Sequence, residues 1–150
     1  STLIGQSILQ DNLCFMVIGD LAFYYDMNSI GIRHIKNNLR ILLINNNGGI
    51  EFKYSKVDNQ DMDRYIAAGN HFKNAQGWAT TCGFKYVSAV NKEQFCEVVQ
   101  DFIRPSSQPI LLEVFVSDLD EADAYDTIVE SNKPKTMKNL VKKALKGIIK

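Results

Sequence analysis

The stretch Cys14–Phe52 reads CFMVIGDLAFYYDMNSIGIRHIKNNLRILLINNNGGIEF. It holds two short apolar runs, the first ending in Gly19-Asp20 and the second in Asn45-Asn46-Asn47-Gly48-Gly49. Both runs are rich in Ile, Leu and Val, so each reads as a buried strand rather than a half-exposed one. Between them Tyr24, Met27, Ile30, Gly31, His34 and Ile35 recur at three- and four-residue steps, which predicts one crossover helix from Leu21 to about Lys36. Strand, helix and strand make a βαβ unit, whose crossover is almost always right-handed. Open sheets of this kind place ligands at the carboxyl ends of their strands, so Asp20 and the Asn-Gly run mark a candidate site.

Outward from that stretch the pattern continues. Leu3, Ile4, Ile8 and Leu9 have helical spacing within Ser1–Gln10, and Asp11-Asn12 makes a turn before the first strand, Leu13–Ile18. Leu39–Ile44 is the second strand. After Phe52 the chain turns polar and irregular; Met62, Tyr65, Ile66 and Ala67 suggest a short helix there, and such a segment near a ligand site often serves as a cover. Trp78–Gly83 predicts another short helix closed by Gly83, and Phe84–Ala89 alternates like a strand. Asn91 caps a helix whose apolar stripe is Phe95, Val98, Val99 and Phe102, ended by Pro105. Residues 109–116 form a last buried strand. This order predicts an α/β fold, a three-layer α/β/α arrangement with a mostly parallel sheet.

Composition narrows the function classes. At 150 residues the chain fits one domain, and 45% hydrophobic content is that of a globular protein. A net charge of 0 gives no electrostatic case for nucleic acid or an anionic membrane. No apolar run approaches the roughly 20 residues that span a bilayer. Cys14, Cys82 and Cys96 are an odd set without CxxC spacing, which reads as free buried thiols in a reducing cytoplasm. The chain opens at Ser1 inside an apolar segment, so it reads as a piece of a longer protein. Its end divides by charge: Asp118, Asp120, Glu121, Asp123 and Asp126 are followed by Lys133, Lys135, Lys138, Lys142, Lys143, Lys146 and Lys150. Leu140, Val141, Ala144, Leu145, Ile148 and Ile149 give that basic end the spacing of an amphipathic helix. The expected division is therefore a domain over 1–130 and a basic helix over 131–150.

A carboxylate, an Asn amide oxygen and a main-chain carbonyl from a glycine turn are hard oxygen ligands, suited to Mg²⁺ or Ca²⁺ and poorly suited to Zn²⁺. Three protein oxygens leave about half an octahedron for a diphosphate and water. A single protein charge suits a ligand that brings several negative charges itself. The N–H groups of Leu21, Ala22 and Phe23 open a helix, where free donors and the helix dipole favour phosphate. Each half alone also has a plain structural reading, Asp20 as a helix N-cap and Asn-Gly as a turn. GxGxxG and Walker-type loops are absent, so dinucleotide and P-loop readings fall. His34 and His71 read as structural or solvent-exposed, and Trp78 as a packing residue.

Gly19-Asp20, followed about 25 residues later by a strand ending in Asn45-Asn46, resembles the thiamine diphosphate-binding motif of the acetolactate synthase and pyruvate decarboxylase superfamily. The run Gly19–Asn28 (GDLAFYYDMN) is similar to two branches. One is the menaquinone-pathway synthase that adds a succinyl semialdehyde unit to isochorismate. The other is a group of acetolactate-synthase-like enzymes of polysaccharide biosynthesis, similar also at INNNGGIEF (44–52), YIAAG (65–69), GFKYVSA (83–89), NKEQF (91–95) and EVFV (113–116). The resemblance covers about residues 1–130. It implies Mg²⁺ held by the side chains of Asp20 and Asn46 and by the carbonyl of Gly48, with Asn47 and Gly49 as the alternative register. Leu21 and Ala22 would offer N–H groups to the diphosphate of thiamine diphosphate, and Gly19, Gly49 and Ile50 would line it. Leu21 stands where most of the superfamily has Gly, a change that both branches share.

The resemblance also implies what lies elsewhere. These enzymes build the site between two domains, usually of two subunits in a homodimer, and a glutamate of the partner pyrimidine-binding domain helps generate the carbanion at the thiazolium carbon. That glutamate is not in this chain, so no catalytic residue is assigned here and the piece alone is expected to be inactive. The implied reaction makes or breaks C–C bonds next to a carbonyl, with a 2-oxo acid or aldehyde as substrate. A non-catalytic, flavodoxin-like module that binds a phosphate ligand or a partner is the alternative.

Overall fold

The computed structural model describes residues 1–49 and 70–133. Chain order is α1 (Thr2–Ile8), β1 (Cys14–Gly19), α2 (Asp20–Tyr25), a 3₁₀ turn (Met27–Gly31), β2 (Leu39–Asn45), α3 (Gln76–Thr81), β3 (Lys85–Ala89), α4 (Lys92–Phe102), β4 (Ile110–Phe115) and α5 (Asp118–Asn132). The chain divides into two compact units, Ser1–Asp118 and Leu119–Lys150. The acidic residues from Asp118 to Asp126 lie along α5. The expected helix around Met62–Ala67, the proposed cover, Ile50 and the basic amphipathic end fall outside the described residues.

The first unit is built on a four-stranded sheet in the order β1-β2-β4-β3, parallel at every pairing. Successive strand residues point to opposite faces, and β2 shows the consequence. Leu39, Ile41 and Leu43 meet Ile4, Phe23, Ile30 and Ala79 on one face, while Leu42 packs with Phe102, Ile110 and Leu112 on the other. Fully burying such a side chain is worth about 2 kcal/mol, against about 1 kcal/mol net for a hydrogen bond. The two apolar faces therefore hold the sheet, and hydrogen bonds decide how its ends are arranged. From β1 through β2 to β3 the chain moves one way across the sheet, and β4 returns between β2 and β3. α4, which makes that return, packs on the opposite face from α1, α2 and α3, as a constant hand of crossover requires.

Local sequence explains the ends. Asn91 caps α4, its side chain accepting from the N–H of Gln94 at 2.9 Å, while the Gln94 side chain reaches back to the N–H of Val90. Gly83, at φ +83°, closes α3. The N–H of Gly83 bonds to Thr80 O and that of Phe84 to Ala79 O, the paired bonds of a Schellman ending. Arg40 is fully buried on the face of α4, where its guanidinium donates to the carbonyls of Phe102, Arg104, Asn37 and Leu39.

Two expectations change. The crossover between β1 and β2 is not one helix: α2 stops at Tyr25, a 3₁₀ turn follows, and Ile32 is already extended. Asp26, Asn28 and Ser29 are weak helix formers, and the N–H of Ser29 bonds back to Asp26 O at 2.9 Å in a tight turn. Trp78 from α3 then donates to Met27 O at 2.7 Å, and its ring would lie 3.3 Å from a side chain at position 31, so Gly31 makes room for it. Trp78 is thus a packing residue, as expected. The three thiols are free, but only Cys14 is buried; Cys82 is half-buried and Cys96 exposed.

Candidate functional site

The carboxyl ends of β1 and β2 lie side by side, because Gly19 pairs with Ile44. Gly19 is extended (φ −76°, ψ 159°), so Asp20 is the first residue of α2 and not its N-cap. The Asp20 carboxylate is 2% exposed. Its Oδ1 accepts from the N–H of Leu21 at 2.7 Å, and its Oδ2 accepts from the N–H of Gly48 at 3.1 Å and from His71 Nε2 at 2.9 Å. The N–H of Lys73 donates to His71 Nδ1 at 2.9 Å. That bond makes Nδ1 the acceptor, so the ring proton sits on Nε2 and faces Asp20.

From the other side, Asn46 Oδ1 also accepts from the Gly48 N–H at 3.1 Å, and Asn46 is buried. The turn that permits this runs through Asn47 at φ +71°, a left-handed conformation that asparagine tolerates better than most residues. Asn47 itself looks elsewhere. Its Oδ1 accepts from Phe72 N at 2.5 Å and its carbonyl from His71 N at 3.1 Å.

Of the residues singled out in the sequence, the structure thus brings Asp20, Asn46 and Gly48 together. Gly49 follows as a buried residue, and Gly19 and Ala22 are exposed beside the strand end. The Leu21 N–H, one of the two expected to face a diphosphate, is held by Asp20 Oδ1. Among the described residues no three His, Cys, Asp or Glu side chains form a metal-binding group. A site made of one carboxylate, one amide oxygen and one carbonyl would not form such a group, so the donor set fits a hard cation better than a transition metal. Oxygens from two different strand ends, Asp20 Oδ2 and Asn46 Oδ1, thus converge on one amide.

Two polar residues outside the expected set lie nearby with buried side chains, His71 bonded to Asp20 and Glu113 bonded to Asn45. His71, read from sequence as structural or solvent-exposed, has a buried side chain, 8% exposed and bonded to Asp20, though nothing in its neighbours could announce a partner so far away. His34 is exposed, as one of those readings allows. Glu113 is fully buried within ILLEVF, where a charge in an apolar strand was the available signal. Its Oε1 accepts from Asn45 Nδ2 at 2.7 Å, and its Oε2 from the N–H of Ala75 at 2.9 Å and from Tyr86 OH at 2.7 Å. The Tyr24 ring stands edge-on to His71 at 5.1 Å, and its buried hydroxyl has no hydrogen-bond partner among the described residues. Burial, and then the negative charges of Glu113 and Asp20, push the Tyr24 phenol well above its ordinary pKa. Such an orphan marks a place where water or a ligand completes a network.

No helix among the described residues is long and apolar enough to cross a membrane. No family model matches the chain. Among curated proteins it is similar to 2-succinyl-5-enolpyruvyl-6-hydroxy-3-cyclohexene-1-carboxylate synthases. It is 43% identical over 121 residues to that of Bacteroides thetaiotaomicron (77% of this chain, 21% of the synthase) and 40% identical over 118 residues to that of Phocaeicola vulgatus (77% and 21%). To that of Christiangramia forsetii it is 32% identical over 117 residues (77% and 20%). The chain spans about a fifth of the length of the curated relatives it matches. Over three quarters of its own residues, then, the chain is related to one segment of these synthases.

Proposed function

We propose that the chain is the thiamine diphosphate-binding domain of an enzyme that makes or breaks C–C bonds next to a carbonyl. In this reading Mg²⁺ is held by Asp20, Asn46 and the carbonyl of Gly48, and the diphosphate completes its coordination. One observation carries it: Asp20 Oδ2 and Asn46 Oδ1, from two different strand ends, each lie 3.1 Å from the same Gly48 N–H. The turn of Asn47 toward Phe72 supports the Asn46 register over the Asn47–Gly49 one. The glycines at 48 and 49 let backbone approach the phosphates closely. When bound, the cofactor supplies the electron sink for carbanion chemistry; this chain anchors and orients it.

The similarity to the named synthases supports the carbon–carbon bond-forming class. A menaquinone-pathway or polysaccharide-associated branch, a 2-oxo acid or aldehyde substrate, a pyrimidine-binding domain supplied by a second subunit, and a cytoplasmic homodimer all belong to the same proposal, as does the division at residue 130. Equilibrium dialysis tests the binding step. Thiamine diphosphate should bind in Mg²⁺ and be released by a chelator, and unphosphorylated thiamine should not bind measurably. Retention of thiamine diphosphate without Mg²⁺ would favour a phosphate-binding module instead, and equal retention of both compounds would contradict a diphosphate anchor.

A further inference from the structure

We propose that Glu113 is a positioning residue that sets the geometry of the cation site without touching the cation; the inference rests on the reading of Asp20, Asn46 and Gly48 given above. Glu113 sits on β4, and its two oxygens hold the two segments that close around Asp20. Through Oε1 it fixes the Asn45 amide, whose Nδ2 also donates to Lys73 O at 2.9 Å and whose Oδ1 accepts from the N–H of Asn47 at 3.0 Å. Each end of Asn45 therefore meets groups of the opposite kind, which leaves a single orientation of the amide. Asn45 in turn holds the start of the turn that presents Asn46 and Gly48. Through Oε2 Glu113 holds the N–H of Ala75, the end of the 70–75 segment that carries His71 to Asp20.

Stability alone does not explain a carboxylate here. Its donors among the described residues, Asn45, Ala75 and Tyr86, are all neutral, and a buried carboxylate without a cationic partner is costly even when hydrogen-bonded. The preceding residues Leu111 and Leu112 show that the strand accepts apolar side chains. What a carboxylate offers is acceptance on both oxygens at once. A glutamine cannot do this, because its NH₂ would face either Asn45 Nδ2 or the Ala75 and Tyr86 donors. Removing a direct partner of a metal ligand typically changes affinity by about 10–100-fold; Glu113 acts one link further out, through Asn45 and Ala75, so the low end of that range is expected.

Mn²⁺ alone serves as the probe, read by electron paramagnetic resonance on the whole chain, with backbone amide NMR of the metal-free protein. Glu113→Gln should weaken Mn²⁺ binding by about 10-fold and shift the Asn47 and Gly48 amides before metal is added. Val87→Ala, which loosens packing on the opposite face of the sheet, should change neither. If Glu113→Gln does not fold, Asn45→Ala cuts the same link and should give the same two effects. Mn²⁺ binding equal to wild type, or unshifted Asn47 and Gly48 amides, would overturn the inference while leaving the site reading intact. Wild-type Mn²⁺ binding that survives Asp20→Ala would overturn the site reading and, with it, this role for Glu113.

Discussion

His71 donates from Nε2 to Asp20 Oδ2 across 2.9 Å, joining residues 51 positions apart in the chain. This bond draws the 70–73 segment over the end of β1. It carries two expectations. Long-range ¹H–¹⁵N spectra should show the His71 proton on Nε2, with Nδ1 as a bare acceptor; a proton on Nδ1 would contradict the arrangement. His71→Ala should lower unfolding stability by about 1–3 kcal/mol, the usual result of leaving a buried acceptor short of a donor, measurable by urea denaturation.

Asn46 and Asn47 should respond oppositely to substitution. Asn46 faces Asp20 through the Gly48 N–H, whereas Asn47 occupies a left-handed conformation and bonds to Phe72. Asn46→Ala should abolish Mg²⁺-dependent retention of thiamine diphosphate. Asn47→Gly, which fits φ +71° without strain, should retain most of it, and Asn47→Val should destabilise by about 1–2 kcal/mol. Dialysis and thermal melts on the three variants check this. Loss of binding in Asn47→Gly with retention in Asn46→Ala would move the site to the other register.

Arg40 should be irreplaceable for stability and irrelevant to ligand binding. Burial lowers its pKa from the ordinary arginine value, yet four carbonyls, two of them at the end of α4, hold its guanidinium. Arg40→Met keeps much of the volume and leaves those carbonyls unpaired, which should cost about 3 kcal/mol or more. Arg40→Lys cannot span the same fork and should recover only part of that. Denaturant midpoints decide it.

Stability should fall at high pH. Burial, then Glu113, raise the Tyr86 phenol as burial and two carboxylates raise Tyr24. A phenol whose folded pKa lies above its unfolded value favours folding fully below the unfolded value, 10.0. That contribution disappears as pH climbs from there toward the folded values. Absorbance titration should therefore show these two of the six tyrosines resisting ionisation until the protein unfolds. Tyr24→Phe should flatten the alkaline decline.

Much of the fold was legible because it depends on neighbours in sequence. The runs Cys14–Gly19, Leu39–Asn45 and Ile110–Phe115 declared themselves by an apolar character that Arg40 and Glu113 interrupt only singly, and Asn91 and Gly83 marked real helix ends. The crossover misled because its periodicity is genuine while its outcome is decided by Trp78, a residue from another helix. At the candidate site, Asp20 and the Asn-Gly run were readable as strand-end residues of suitable chemistry, while the Asn46–Gly48 register came only with the resemblance. The His71 link to Asp20 was not readable, and Glu113 offered only a charge within an apolar strand, because the partners of both are brought near only by folding.

The most direct measurement is calorimetric titration of thiamine diphosphate into wild-type chain and Asp20→Ala, each with Mg²⁺ and with chelator. Binding should appear only for the wild type in Mg²⁺, with Asp20→Ala folded and silent. Equal binding by folded Asp20→Ala, or wild-type binding indifferent to Mg²⁺, would show that the two strand ends do not form a cation–diphosphate clamp.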